Sequence, residues 1–527
     1  MRPTRLALAA GVAVALLAAP ADANTFRFAF QGNLNTLDPY TFNETFTLGV
    51  MGNVYEGLTK RDKELQIIPG LAERWEVVEP TRWRFHLRKG IKFHNGNDFN
   101  ADDVIYSAQR VREQTSDIKT RVPADMKVEK VDDHTVDFVL SSPNPILHYE
   151  WDTWYMFDKE WSEENNAVAP SSPADTNPGF AARNANGTGP FMVDSHQVGV
   201  RTTFKANPDW WGTPEHNLTE VIFTPIGSAA TRVAALLSGE VDMMDPVPLQ
   251  DQERVNANDG TRVLSGPELR SIFLGFDARR DELVGASVKG KNPFKDAKVR
   301  RAVYQAIDME AIHTRVMRGQ SANASLLISP LLYSRSDEFK RHPYDPDASR
   351  KLLADAGYAD GFEFIMDCPN DRYVNDEAIC QAVVSMLARV GLKVNLNAQP
   401  RAQYFSKAGN PNYDTSFYLL GWTPGSFDSH NVISNLAGCR DDKGVGGPFN
   451  YGGYCNPKVD ELAKQILAEN DETKRDQLIF DAYTILHEEV SHIPLHQQAL
   501  AWGVSDKVEI AQRADNQILF YWVNMKE

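Results

Sequence analysis

The chain has 527 residues, a formal net charge of −16 and 42% apolar residues. That length exceeds one domain. Its acidic and basic residues are interspersed rather than gathered in runs, which reads as a solvated surface and excludes nucleic acid as a partner.

Arg2 and Arg5 precede an apolar run over residues 6–19, and Ala21-Asp22-Ala23 follows as a small-x-small cleavage site. This is the pattern of a secretory signal peptide, residues 1–23, and the run is shorter than the roughly 20 residues of a spanning helix. Cleavage leaves 504 residues (527 − 23) and, with the loss of Arg2, Arg5 and Asp22, a net charge of −17. No cysteine at the cleavage site encodes a lipid anchor and the two arginines are not adjacent, so a free periplasmic protein is expected.

Residues 25–29 form a short strand, and Leu37-Asp38-Pro39 leads to a helix through Tyr55-Glu56-Gly57-Leu58. Trp83, Phe85 and Leu87 alternate with Arg82, Arg84, His86 and Arg88, the period of a half-buried strand. After a turn at Gly90 and Gly96, Asn100 caps a helix carrying Val104, Ile105, Ala108 and Val111. Residues 169–186 are an exposed loop rich in Pro, Ser and Asn. A helix over 229–237 stops at Gly239, and a strand begins at Val241. From 271–276 onward the pattern is α/β: one long helix within 294–319, a helix capped by Asp347, and a strand over 362–367. A helix over 375–389 and a strand over 392–396 complete a right-handed βαβ unit, and a last strand covers 414–422.

Four cysteines in an oxidising compartment read as two bridges. Of three connectivities, Cys368–Cys380 with Cys439–Cys455 closes the shortest loops, and no C-x-x-C spacing supports zinc.

Catalytic patterns fail on geometry. His487 and His492 are i and i+5, about 140° apart on a helix, so they cannot grip one metal from one face. Pro494 breaks any helix joining His492 to His496. His487 instead ends a helix whose dipole favours a cation. No G-x-S-x-G elbow occurs, and Gly444-x-Gly446-Gly447 does not join a strand to a helix. Asp102-Asp103, Asp132-Asp133 and Asp441-Asp442 sit at caps or turns. No enzyme, catalytic residue, metal or cofactor is expected.

Ala72-Glu73-x-Trp75, Leu87-Arg88-x-Gly90, Phe93-His94-Asn95-Gly96 and Ala101-Asp102-Asp103-Val104 occur in that order. Together with Leu37-Asp38-Pro39, Tyr55-Glu56-x-Leu58, residues 187–191 (GTGPF) and residues 207–212 (NPDWWG), they resemble the family 5 extracellular solute-binding proteins, periplasmic receptors of peptide, nickel and related ATP-driven importers. The resemblance implies an α/β, two-lobe hinged periplasmic-binding-protein fold (type II, cluster C) with an extra subdomain in the N-lobe. Lobe I would comprise 24–57, 187–270 and 493–527, with residues 58–186 as its inserted subdomain and 271–492 as lobe II. A monomer is expected, with a small peptide or peptide-like ligand between the lobes and ABC permease subunits of the inner membrane as partners.

Arg372, at the carboxyl end of a strand, matches the arginine that meets the peptide carboxylate in dipeptide-binding members; a structural salt bridge to Asp371, Asp376 or Glu377 is its alternative role. Trp422-Thr423-Pro424-Gly425 matches a loop that in those members places an amine-binding aspartate where Gly425 stands. Asp428 and Asp38 are candidates to replace it. Tyr404, Tyr373, Tyr418, Trp151, Trp154 and Tyr155 are further aromatic candidates for the cavity. The missing aspartate keeps open an opine, an oligosaccharide or a metal chelate as ligand. A secreted hydrolase and a chaperone for unfolded chains are the readings from other classes.

Overall fold

The computed structural model describes residues 24–441 and 446–526; the expected signal peptide, and Asp442 and Gly444 of the loop read above, lie outside them. The described residues build one mixed sheet of eleven strands, organised by two long antiparallel strands at its centre, Thr261–Phe276 and His492–Ser505. Both exceed ordinary strand length because each belongs to two packed bodies in turn. Residues 261–267 pair with 499–505 and continue through Met243–Asp245, Thr25–Phe30 and Glu220–Pro225. Residues 271–275 pair with 492–497 and continue through Phe417–Trp422, Glu363–Pro369 and Lys393–Gln399. Between these halves the register slips, from Pro267 to Ser271. Pro267 has no N–H to donate, and the Leu269 N–H goes to the Ala514 carbonyl at 2.8 Å. The break leaves Glu268 and Arg270 buried where the two halves meet.

Two lobes result, each with its own apolar core. The first packs Phe26, Phe28, Phe223, Trp502 and Phe520. In the second the strand alternates across its two faces: Phe417 and Leu419 join Phe276, Phe294 and Phe364 on one, while Tyr418, Leu420 and Trp422 join Tyr404, Val432 and Tyr483 on the other.

A separate four-stranded antiparallel sheet lies between residues 72 and 139. Trp83, Phe85 and Leu87 are buried as the alternation requires, and Arg84 on the opposite face makes a two-pronged pair with Asp137 at 2.7 and 2.9 Å. Asn100 caps Ala101–Val111. Its side chain accepts the Asp102 N–H at 2.8 Å, and the Asp103 carboxylate accepts the Asn100 N–H at 2.9 Å, which satisfies two orphan donors reciprocally. Trp151, Trp154 and Tyr155 do not line the cavity between the lobes: they are core residues, with Trp151 4.5 Å from Phe138.

Local capping explains two departures from the predicted elements. The helix expected within 294–319 stops at Gln305, because the Asp308 side chain accepts the Ala311 N–H at 2.9 Å and starts a new, wider turn. Asp345, not Asp347, caps Pro346–Asp355, with Pro346 at the first helical position where its missing N–H costs nothing. The βαβ unit forms as expected, with parallel strands Glu363–Pro369 and Lys393–Gln399 around Asp376–Ala388. Both local disulfides are present; Cys368–Cys380 ties strand to helix inside this unit and Cys439–Cys455 closes a loop.

His487 stands in the last turn of Glu472–Glu488, as expected; its ring lies 4.5 Å from that of His342 and tilted to it, Nε2 lies 2.8 Å from the Lys340 carbonyl, and burial lowers its pKa against the pull of that carbonyl. His492 and His496 are buried in the crossing strand, where desolvation pushes both pKa values from 6.5 to about 3. Among the described residues neither His496 ring nitrogen has a hydrogen-bond partner. At these two sites the unfolded chain therefore binds more protons than the folded one below pH 6.5, and their contribution to stability falls as pH drops from there toward 3. Urea unfolding at pH 5 should show a loss of up to about 2 kcal/mol per histidine relative to pH 7.5, and His496→Phe should flatten that slope; an unchanged slope would mean that His496 is protonated in the fold.

Candidate functional site

A cleft of about 220 Å3 lies between the lobes, and it is built from strand ends and loops of both. Arg372 and Arg401 occupy equivalent places in the second lobe, each just beyond the carboxyl end of one of two adjacent parallel strands, where open α/β sheets bind ligands. The Arg372 loop is held by the buried Asp376 carboxylate, which accepts the N–H groups of Arg372 and Tyr373, both at 2.9 Å. Desolvation raises Asp376 to about 6 despite these bonds.

The alternative role of Arg372, a salt bridge within its own loop, is not formed. Its guanidinium reaches into the cleft toward Glu44 of the first lobe, 3.8 Å away, and stands over the Tyr373 ring at 5.0 Å. Arg401 makes an ion pair with the same Glu44 and donates to the Asn33 carbonyl at 2.6 Å. It lies against Gly32, where a Cβ would stand 2.7 Å from the guanidinium carbon. Arg270 joins from the break in the crossing strand, paired with Glu268 at 2.7 Å and donating to Thr45 at 3.2 Å.

Three guanidinium groups thus meet two carboxylates within ion-pair distance, leaving one positive charge in excess (3 − 2). Burial alone would raise the Glu44 pKa, but Arg401 and Arg372 outweigh it and hold the carboxyl below its usual range. Burial and the neighbouring Arg270 push Arg372 down, against the pull of Glu44. Among the described residues the Arg372 Nε hydrogen has no acceptor.

The second wall is the Trp422 loop. The indole N–H donates to Asn431 at 2.9 Å and the ring lies 4.7 Å from Phe449. Tyr373 packs against Gly421, where a Cβ would lie 2.7 Å from its ring, and its hydroxyl donates to the Gly421 carbonyl at 3.3 Å. The Thr423 hydroxyl is buried without a partner among the described residues. Gly425 leaves open space; the nearest side-chain atoms to an added Cβ are Arg121 Nη2 at 3.8 Å and Asn431 Nδ2 at 3.9 Å. Aromatic faces and a charged corner suit a ligand with an apolar body and an anionic end.

Arg372, Trp422, Thr423 and Gly425 therefore line one cavity, with Tyr373 beside them. Three other expected residues do not. Asp38 is buried in an ion pair with Arg110 at 2.6 Å, which fastens the N-terminal segment to the capped helix. Asp428 caps Ser429–Val432 and accepts both terminal nitrogens of Arg475, at 2.7 and 2.9 Å. Tyr404 is fully buried and donates to the Leu419 carbonyl at 2.6 Å, and Tyr418 lies in the same core. In each case a buried polar group has taken an internal partner.

Glu44, Arg270, Arg401 and Arg121 line the cleft without having been singled out in the sequence. Only Arg401 carries a readable sign, since it follows a strand of the same βαβ unit as Arg372. Replacing Glu44 by Gln leaves Arg372 and Arg401 facing each other without their shared counter-charge. The expected loss is about 3 kcal/mol, read by urea unfolding at pH 7; a loss below about 1 kcal/mol would show that solvent replaces Glu44.

Residues 66–444 match the family model described as bacterial extracellular solute-binding proteins, family 5 Middle. The dipeptide-binding protein of Escherichia coli K12 is 27% identical over 501 residues, covering 90% of this chain and 89% of that protein. Among solved structures, the periplasmic binding protein DppA of Helicobacter pylori in complex with the peptide STSA has a TM-score of 0.83 at 21% identity, over 95% of this chain and 98% of that one. AgaA of A. tumefaciens R10, in complex with agropinic acid, has a TM-score of 0.81 at 24% identity, over 95% and 99%. These likenesses place the two lobes in the fold of periplasmic binding proteins, and on the match that spans more than half of its residues the chain belongs to the family 5 bacterial extracellular solute-binding proteins.

Proposed function

We propose that this protein is the exported receptor of an ATP-driven importer, capturing small peptides or peptide-like carboxylates between its lobes and delivering them to permease subunits in the inner membrane. The observation that carries this reading is the buried Arg372 guanidinium, with an unused Nε hydrogen in a corner that holds one surplus positive charge. A ligand carboxylate at that point supplies the missing charge and acceptor together. Trp422 provides an apolar wall, Thr423 an unused hydroxyl, and Gly425 room for the ligand backbone. Capture followed by release needs no covalent step. Residues 1–23 would direct export and be removed.

Arg372→Ala should weaken binding of di- and tripeptides by about 2–4 kcal/mol, because truncation leaves the ligand carboxylate buried without its partner. Calorimetry reads this directly. Unchanged affinity, with the fold intact by circular dichroism, would return Arg372 to a structural role.

Glycine at position 425, faced by Arg121 rather than by a carboxylate, favours a second reading in which the ligand is a non-peptide carboxylate such as an opine. Thermal-shift comparison of peptides with opines ranks the two.

We further propose that the lobes rotate about the register break in the crossing strands, residues 267–271, and its partner strand near 497–499. A ligand that contacts both lobes adds free energy only to the closed arrangement and shifts the population toward it. Small-angle scattering should show a smaller radius of gyration with saturating ligand; equal radii for a ligand shown to bind would leave a rigid receptor.

A further inference from the structure

We propose that Asp117 binds an ammonium group of the ligand, taking over from the other lobe the role that the resemblance assigns to an aspartate where Gly425 stands. This rests on the reading of Arg372 as the partner of the ligand carboxylate. Four carboxylates line the cleft: Glu44, Asp117, Asp152 and Asp515. Three are committed. Glu44 pairs with Arg401, Asp152 with Arg61 at 3.2 Å, and Asp515 with Arg513.

Among the described residues no cation stands within 4.0 Å of Asp117. Its Oδ2 accepts the Asn43 N–H at 2.9 Å, and its own N–H is donated to the Tyr40 carbonyl at 2.9 Å. Of the charged groups nearest in the chain, the Lys119 ammonium donates to the Gln114 carbonyl at 3.3 Å, and Arg121 donates to the Thr153 carbonyl at 2.6 Å and to Asn43 Oδ1 at 3.0 Å. Burial raises the Asp117 pKa, with the Asn43 N–H, Lys119 and Arg121 opposing. A bound cation would relieve that desolvation.

The placement fits a zwitterion. Asn43, which holds Asp117, immediately precedes Glu44, which stands beside Arg372. The anionic and cationic subsites are therefore linked through one peptide unit and lie on the order of 10 Å apart, the reach of a di- or tripeptide. The ammonium could come from the ligand's amino terminus or from a lysine side chain, and these sources are separable.

Calorimetry with wild type and Asp117→Asn, using trialanine, N-acetyl-trialanine and N-acetyl-Ala-Ala-Lys, tests the assignment. N-acetylation and Asp117→Asn should each weaken trialanine binding by about tenfold or more, and together no further than either alone. Recovery of affinity in N-acetyl-Ala-Ala-Lys, lost in Asp117→Asn, would assign the site to a side-chain ammonium. Equal binding of trialanine and its acetylated form by wild type, or unchanged trialanine affinity in Asp117→Asn, overturns the proposal. Asn at 117 keeps an acceptor for the Asn43 N–H, and if the variant nevertheless melts early, the acetylation comparison on wild type decides alone. Loss of binding in Arg372→Ala without loss in Asp117→Asn removes only this inference, whereas failure of wild type to bind any of the three peptides removes the peptide reading and this inference with it.

Discussion

One carboxylate, Glu44, is placed among guanidinium groups from the facing lobe, and much of the cleft follows from the need to compensate it. A buried charge without a partner is far more costly than a paired one. Arg401 meets that need directly, threading past Gly32 to reach Glu44 and anchoring its remaining donor on Asn33. With Arg401 in place, Arg372 is left at 3.8 Å from the same carboxylate, near enough to share its field and too far for its Nε hydrogen to be satisfied. The positive charge that the cleft leaves open is thus a remainder, the part that internal pairing does not consume.

The proposed hinge and the charged corner share one stretch of chain. Pro267 interrupts the ladder that joins the crossing strands, and the three residues that follow include both Glu268 and Arg270. The irregularity in the ladder is therefore the same irregularity that delivers the third guanidinium. Gln498, on the partner strand, donates to Glu268 at 2.8 Å and ties the other side of the break to this pair.

What could be read from the sequence was local. The Trp83-Phe85-Leu87 alternation, the Asn100 cap and the βαβ unit are set by residues a few positions apart, and they appear where expected. Arg372 was legible because it follows a strand and precedes a helix. Glu44 and Arg270 were not, since their meaning comes from partners across the cleft; Glu44 and Arg401 are 357 positions apart. Long-range pairing also explains the reverse error. Asp38 and Asp428 look available in the sequence, yet Arg110 and Arg475, 72 and 47 positions away, had already claimed them. The over-long helix near Gln305 has another cause: its apolar period continues past Asp308, but the carboxylate there competes locally for the backbone.

The Cys439–Cys455 bridge has a bearing on maturation. The segment it encloses carries Phe449 and Tyr451, which line the cleft, and Phe449 backs the Trp422 ring. The Asn431 side chain holds the indole N–H and the Asn435 carbonyl holds the Phe449 N–H, so the bridge adds a covalent tie to a wall that hydrogen bonds already position. That last tie closes only where thiols oxidise, which makes the finish of this wall a matter of compartment as well as of folding.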